Sequence, residues 1–189
     1  MRYLIGLSGK SGAGKDTVAD YLVARHGFVR FAVADDLKRA AKFAFDFDDD
    51  QLWTSGRDEI DVRYHQTPRQ MYQRLGDAIR EIAPEAIVEG LRSRLRAKSP
   101  GHRLVVTDVR MPPEVKALRD VGGVIWRIER PGLGVREHEH GTETALDGAR
   151  VDAVVMNDGS LSLLARRIEA LLHLESTKGG DDGSRTTCA

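Results

Sequence analysis

A nine-residue stretch near the N-terminus, Gly9-Lys10-Ser11-Gly12-Ala13-Gly14-Lys15-Asp16-Thr17, constrains the fold more than any other part of the chain. The apolar run Tyr3-Leu4-Ile5-Gly6-Leu7 leads into it. A helical pattern that puts Val18, Leu22 and Val23 on one side leads out. Strand, glycine-rich turn, helix is the setting in which G-x-x-x-x-G-K becomes a phosphate-binding loop. Gly9, Gly12 and Gly14 open backbone conformations closed to other residues, so successive N–H groups turn inward on an anion. The helix that starts near Gly14 adds its positive end, and Lys15 reaches the outer phosphates as a mobile charge. The general motif wants a hydroxyl after the lysine to hold Mg²⁺; here Asp16 stands there, with Thr17 next. A carboxylate also ligates Mg²⁺, directly or through water, so metal use survives the change.

At 189 residues the chain is long enough for one well-cored domain. Its 29 basic and 29 acidic residues cancel, which argues against wholesale binding to nucleic acid or to a membrane surface. No apolar run reaches the length of a bilayer span, and the N-terminus enters a strand without a signal-peptide pattern. The lone cysteine, Cys188, excludes an internal disulfide framework and a cysteine-built zinc site. The expectation is a soluble cytoplasmic protein with small-molecule partners. A homodimer is compatible with this, and the oligomeric state is left open.

Further along, Arg25-His26-Gly27 reads as a helix end, and Phe28–Ala32 as a second strand. A helix opens at Asp35-Asp36 and runs to about Phe45. Asp46 to Asp50 carries four acids in five residues and reads as a solvated loop; Gln51 to Gln66 reads as polar and irregular. Thr67-Pro68-Arg69-Gln70 carries the signals of a helix start. In that helix Met71, Leu75, Ala78, Ile79 and Ile82 form an apolar stripe, while Arg69, Gln73, Gly76 and Arg80 recur along a second face. Two arginines, an amide and a glycine on one face suit a nucleotide phosphate and base. A glycine inside a helix also implies that something approaches closely. Pro84 starts another helix, with Ile87, Val88, Leu91 and Leu95 inward and Arg92, Arg94, Arg96 and Lys98 outward.

Leu104–Thr107 is a strand of buried type that ends in Asp108-Val109-Arg110. An acid at the carboxyl end of a parallel strand sits where ligands bind in open α/β sheets, and beside a phosphate loop it suits a Mg²⁺ ligand or a base. The alternative is a helix cap for Pro112-Pro113-Glu114. A helix over 113–121 and a strand over 124–128 follow. Residues 129–150 are too polar for a core element, and Arg130 and Arg136 there could close over transferring phosphates as a lid. His138, Glu139 and His140 lack a third firm ligand for zinc. A strand over 152–156 and an amphipathic helix over 161–174 complete the domain, and residues 175–189 read as a disordered tail. Five short strands alternating with helices predict an α/β fold, a mainly parallel five-stranded sheet covered on both faces. Ligand chemistry should gather at Lys15, Asp108 and Arg130.

Several segments in order resemble the phage-type deoxynucleoside monophosphate kinases, members of the P-loop nucleoside monophosphate kinase fold. They are Gly-Lys-Asp-Thr at 14–17, Asp-Asp-Leu-Lys at 35–38, Thr-Pro-Arg-Gln-Met-Tyr-Gln-Arg-Leu-Gly at 67–76, Asp-Val-Arg-Met-Pro-Pro-Glu at 108–114, Arg-Pro-Gly at 130–132 and Asn-Asp-Gly-Ser at 157–160. The aspartate after the loop lysine, odd against the general motif, is what this family uses. The resemblance implies transfer of the ATP γ-phosphoryl group to a deoxynucleoside monophosphate with Mg²⁺, in a host cytoplasm if the protein is phage-encoded. It implies that Gly9, Gly12, Ala13, Gly14 and Lys15 hold ATP phosphates, and that Asp16, Thr17 and Asp108 serve the metal. Lys38, Arg69 and Gln73 then belong to the acceptor site, Lys15, Asp108, Arg110 and Arg130 to catalysis, and Arg130 to the lid. The helix face adds Arg80 to the acceptor site and the polar segment adds Arg136 to the lid, independently of the resemblance.

Two other readings compete. A kinase of dephospho-coenzyme A type shares the fold and a strand–Asp–Arg segment, and an acceptor screen separates it. A nucleotide-dependent binding or packaging factor would lose ATP slowly without phosphorylating any acceptor.

Overall fold

The computed structural model describes residues 4–97, 101–133, 146 and 148–178. In chain order the first elements are β1 (Leu4–Ser8), α1 (Lys15–His26), β2 (Phe28–Phe31), α2 (Ala34–Phe45) and α3 (Asp49–Trp53). After a 3-10 turn at Ser55–Asp58 come α4 (Pro68–Ile82), α5 (Ala86–Ala97) and β3 (Arg103–Val106). The chain closes with α6 (Pro112–Arg119), β4 (Val124–Glu129), β5 (Ala153–Met156) and α7 (Leu161–Lys178). Contacts divide it into two compact units, one of Met1–Arg30 with Ser99–Ala189 and one of Phe31–Lys98.

The first unit is built on a sheet of order β2-β3-β1-β4-β5. Every residue of β1 is buried, as expected of a strand with neighbours on both edges and helices on both faces. It pairs in parallel with β3, Leu4 opposite Leu104, and with β4, Gly6 opposite Ile125; β4 pairs in parallel with β5. Gly6 is tight because the side chains of Leu118, Ile125 and Val109 close over it, all within 3.0 Å of where a Cβ would stand. One face is packed by α1 and α7 through Val18, Leu22, Trp126, Ile128 and Ile168. Gly27 ends α1 in the left-handed conformation, its N–H shared between the carbonyls of Leu22 and Val23. Val23 is exposed and leaves the apolar side assigned to it by periodicity. α7 continues to Lys178, past the point where the composition turns polar; residues 179–189 lie outside the described residues.

The second unit is helical. Thr67 accepts from the Gln70 N–H and Gln70 reaches back to the Thr67 N–H, so α4 starts with the expected capping box. Gly76 is buried, and a Cβ there would lie 2.9 Å from Leu37. The close approach that its sequence position implies is therefore packing of α4 on α2. Beyond Gly76 the apolar stripe fails, with Ala78 exposed and Ile82 84% exposed. Arg92 and Arg94 on α5 are not outward: Arg94 pairs with Asp36 at 3.0 Å and donates to the Ala32 carbonyl.

Residues 46–66 are more ordered than their composition predicts. Asp46 closes α2 in the left-handed region, and Asp48 caps α3 by accepting from the Gln51 N–H. Two of the acids of this stretch thus serve helix ends: the Asp48 carboxylate satisfies an otherwise unpaired N–H at the start of α3, and Asp46 ends α2 through its left-handed backbone. Phe45, Phe47 and Tyr64 form an aromatic cluster, with Arg63 over Phe47 and Tyr64. Asp61 is buried and takes hydrogen bonds from the Arg63 guanidinium, the Arg63 N–H and the Gln51 amide. The Arg63 guanidinium, first among these, holds the Asp61 carboxyl well below the usual carboxylate range. A carboxyl held low in the fold stabilises it fully above its unfolded value, near 3.8, and loses that contribution as pH falls through the folded value. The urea midpoint should fall more steeply below pH 4 in the wild type than in Asp61→Asn. Equal slopes would mean that the cluster does not couple folding to protons.

Candidate nucleotide-binding site

The phosphate loop leaves β1 at the centre of the sheet's carboxyl edge, the position where open α/β sheets bind ligands. Two of its glycines are required by what surrounds them. Gly9 has φ +130°, and a Cβ there would run into the Ile128 carbonyl oxygen on β4. Gly14 has φ +102°, caps α1, and a Cβ there would run into the Asn157 amide. Lys15 folds back across the loop and donates to the carbonyls of Gly9 at 2.6 Å and Lys10 at 2.8 Å. A lysine held over its own loop by neutral carbonyls exchanges them readily for phosphate oxygens, which are stronger acceptors.

Asp16 and Thr17 are exposed in the first turn of α1. Asp16 forms an ion pair with Arg30 from the end of β2, and Arg30 also reaches Asp20 at 2.9 Å, one turn further along α1. The carboxylates of Asp16 and Asp108 and the hydroxyl of Thr17 are hard oxygen donors of the kind Mg²⁺ takes.

Asp108 is half-buried just past β3, and the next residue, Val109, donates to the Leu7 carbonyl of β1. Glu114, 3% exposed, turns back from α6 to accept from the N–H groups of Arg110 at 2.8 Å and Met111 at 3.0 Å. Glu114 therefore caps the start of α6.

Two cavities adjoin the loop. One, of about 440 Å³, lies along the strand ends and is lined by Ser8, Lys10, Arg110, Arg127, Arg130 and Met156 among others. The other, of about 630 Å³, runs from Lys15 and Thr17 past Arg130 to Asn157, Asp158 and Gly159. Arg130 borders both. Arg127 donates to the carbonyls of Leu146 and Ala149, tying the segment before β5 to β4. Arg136, His138, Glu139 and His140 lie outside the described residues.

In the unit of residues 31–98, Arg69 is half-buried and grips Asp58 through two contacts, at 2.5 and 3.0 Å. Arg69 accordingly holds the Asp58 carboxyl below its ordinary value. Arg80 pairs with Asp77 at 3.0 Å, and Gln73, between Arg69 and Arg80 in sequence, is half-buried. Lys38 stands over the Trp53 ring, 5.8 Å from its centroid, and the indole N–H points to Asp35.

Asn157, Arg127, Glu114 and Arg30 were not singled out by residue type. Each acts through a partner distant in sequence or through a backbone carbonyl, which leaves no spacing to detect. Glu114 is the partial exception, since a glutamate two residues after a first-turn proline is a capping signal.

Residues 67–168 match the family model of deoxynucleotide monophosphate kinase. The chain is 32% identical over 174 residues to an Acanthamoeba polyphaga mimivirus protein provisionally named deoxynucleotide monophosphate kinase, covering 84% of this chain and 90% of that one. The chain belongs to the deoxynucleotide monophosphate kinase family. The kinase fold is shared more widely. Shikimate kinase from Acinetobacter baumannii superposes with a TM-score of 0.55 at 13% identity, covering 96% of this chain and 97% of that one. Dephospho-CoA kinase from Campylobacter jejuni superposes at 0.50 and 11%, covering 95% and 100%. Likeness at that identity is of fold alone. Family and fold together make this a nucleotide kinase, and among the described residues no helix is long and apolar enough to cross a membrane.

Proposed function

We propose that the protein transfers the γ-phosphoryl group of ATP to a deoxynucleoside 5′-monophosphate, giving the diphosphate and ADP. An oxygen of the acceptor phosphate attacks the γ phosphorus, and the bond from that phosphorus to the β–γ bridging oxygen breaks. The observation that carries this reading is the cavity of about 630 Å³ lined by Lys15, Thr17, Arg130 and Asn157–Gly159, whose cations and mostly polar lining suit the phosphates of a nucleoside triphosphate. The loop N–H groups and Lys15 hold the phosphates, and Arg130 and Arg110 offset charge as it moves. Asp16, Thr17 and Asp108 are the metal-side residues, and Mg²⁺, when bound, neutralises phosphate charge. Lys38, Arg69, Gln73 and Arg80 receive the acceptor, with Arg69 exchanging Asp58 for the acceptor phosphate. Asp108 orients the attacking oxygen.

The test is ADP release with Mg-ATP against the four deoxynucleoside monophosphates, UMP, AMP and dephospho-coenzyme A. Turnover that depends on a deoxynucleotide supports the reading. ADP release at the same rate without acceptor, or only with dephospho-coenzyme A, overturns it. Acceptor binding has its own optical signal. Trp126 is fully buried in the sheet core, whereas Trp53 is 38% exposed beside Lys38. A saturating deoxynucleoside monophosphate should change the tryptophan emission of the wild type, and Trp53→Phe should remove that change. An emission change that survives in Trp53→Phe would move the acceptor away from Lys38.

A further inference from the structure

Asn157 follows β5, and its backbone N–H extends the ladder by donating to the Glu129 carbonyl at 2.6 Å. Its side chain leaves the sheet and donates to the Ala13 carbonyl inside the phosphate loop at 2.9 Å. The carbonyl can only accept, so the amide must present its NH₂ there. The segment that carries Asn157 is itself fixed from α7. Arg167 donates to the Met156 carbonyl just before it and to the Asp158 carboxylate, at 2.6 Å, just after it.

This contact decides which way one peptide group faces. The C=O of Ala13 and the N–H of Gly14 belong to the same planar trans unit and point in opposite directions. Holding the carbonyl on Asn157 turns the Gly14 N–H to the opposite side of the peptide, which on the cradle reading is the side that meets the phosphates. A flipped peptide would put an oxygen against the phosphates instead. Gly14, at φ +102°, has no side chain to resist that flip, and its missing Cβ is what lets the amide approach. The loop therefore needs an external hold at this peptide, and Asn157 supplies it.

We propose that Asn157 is a positioning residue for the phosphate loop, which it orients through Ala13 to receive the triphosphate of the nucleotide. The inference rests on reading residues 9–17 as the triphosphate cradle. It also links the two ends of the wider cavity, because Asn157 lines that cavity beside Asp158 and Gly159 while gripping the loop.

The test uses the full chain and two probes, ATP and inorganic tripolyphosphate, titrated by calorimetry into wild type, Asn157→Ala and Asn157→Asp. Alanine removes the donor. Aspartate keeps the shape and sets an oxygen against the Ala13 carbonyl, so it should be the worse of the two. Affinity for both probes should fall by about tenfold in Asn157→Ala and about a hundredfold in Asn157→Asp. KM for the acceptor should stay within about twofold, and circular dichroism should show the native spectrum in at least the alanine variant. Loss of ATP affinity with tripolyphosphate affinity intact would place Asn157 against the nucleobase and overturn the inference. So would unchanged affinity for both probes in a folded variant. A wild type that binds neither probe would overturn the cradle reading, and this inference with it.

Discussion

Lys15→Ala is expected to lower acceptor-dependent phosphoryl transfer by roughly a hundred- to a thousandfold, the loss seen when one preorganised donor is removed from a developing charge. The ammonium already lies over the loop, on the carbonyls of Gly9 and Lys10, so it reaches a bound triphosphate by exchanging partners within the same loop. No large movement is needed. Removing the side chain takes away two half-buried hydrogen bonds, a stability effect of about 1–2 kcal/mol. For a chain of this size that lowers Tm by only a few degrees. The measurement is coupled ADP release beside a thermal melt. A Lys15→Ala protein that melts close to the wild type and turns over within tenfold of it would remove the loop from the chemistry.

Gly9→Ala should damage the fold as well as the site. Its Cβ meets the Ile128 carbonyl oxygen, which is backbone on a strand paired on both sides and cannot swing away as a side chain would. The residue is also at φ +130°, outside the region that alanine adopts at low cost. Strain and overpacking together should cost at least about 2–3 kcal/mol, which lowers Tm by about 4–12 °C for a chain of this length. Gly27→Ala separates the two contributions. It too has positive φ, 66°, but nothing lies within 4 Å of its Cβ, so only the backbone strain of about 1–2 kcal/mol remains. If the two variants melted together, the contact with Ile128 would have no energetic weight.

The sheet was legible in the sequence because its strands are short apolar runs bounded by glycines or acids, and the helix starts were legible because Thr67-Pro68-Arg69-Gln70 and Gly27 carry their geometry locally. Residues 46–66 were not. Polar composition predicts a loop there, yet Asp46 and Asp48 act as helix caps and Asp61 is buried on Arg63, so the same carboxylates that mark a solvated chain are its structural ties. The α4 stripe was half right, since Met71 packs inward while Ile82 is exposed at the helix end. At the site, the loop announced itself through residue type. Its supports did not, because an amide on a carbonyl, as in Asn157 on Ala13, looks in sequence like any turn residue.

The order of strands sets a schedule for synthesis. β1 leaves the ribosome first, yet it takes the middle of the sheet, where Leu4 must wait for Leu104 and Gly6 for Ile125. Contacts so far apart in sequence make for slow closure, and until they form a strand that the fold buries at every residue stands without neighbours. The phosphate loop waits longer still, since the amide that holds Ala13 arrives only at residue 157 and is braced by Arg167 after that. A nascent chain halted before β5 would carry every glycine and the lysine of the phosphate loop, and on the proposed role of Asn157 it should bind nucleotide poorly. On that role, nucleotide capture requires the chain to extend through Arg167, and an affinity resin bearing ATP should retain chains that reach this point in preference to fragments that stop before β5.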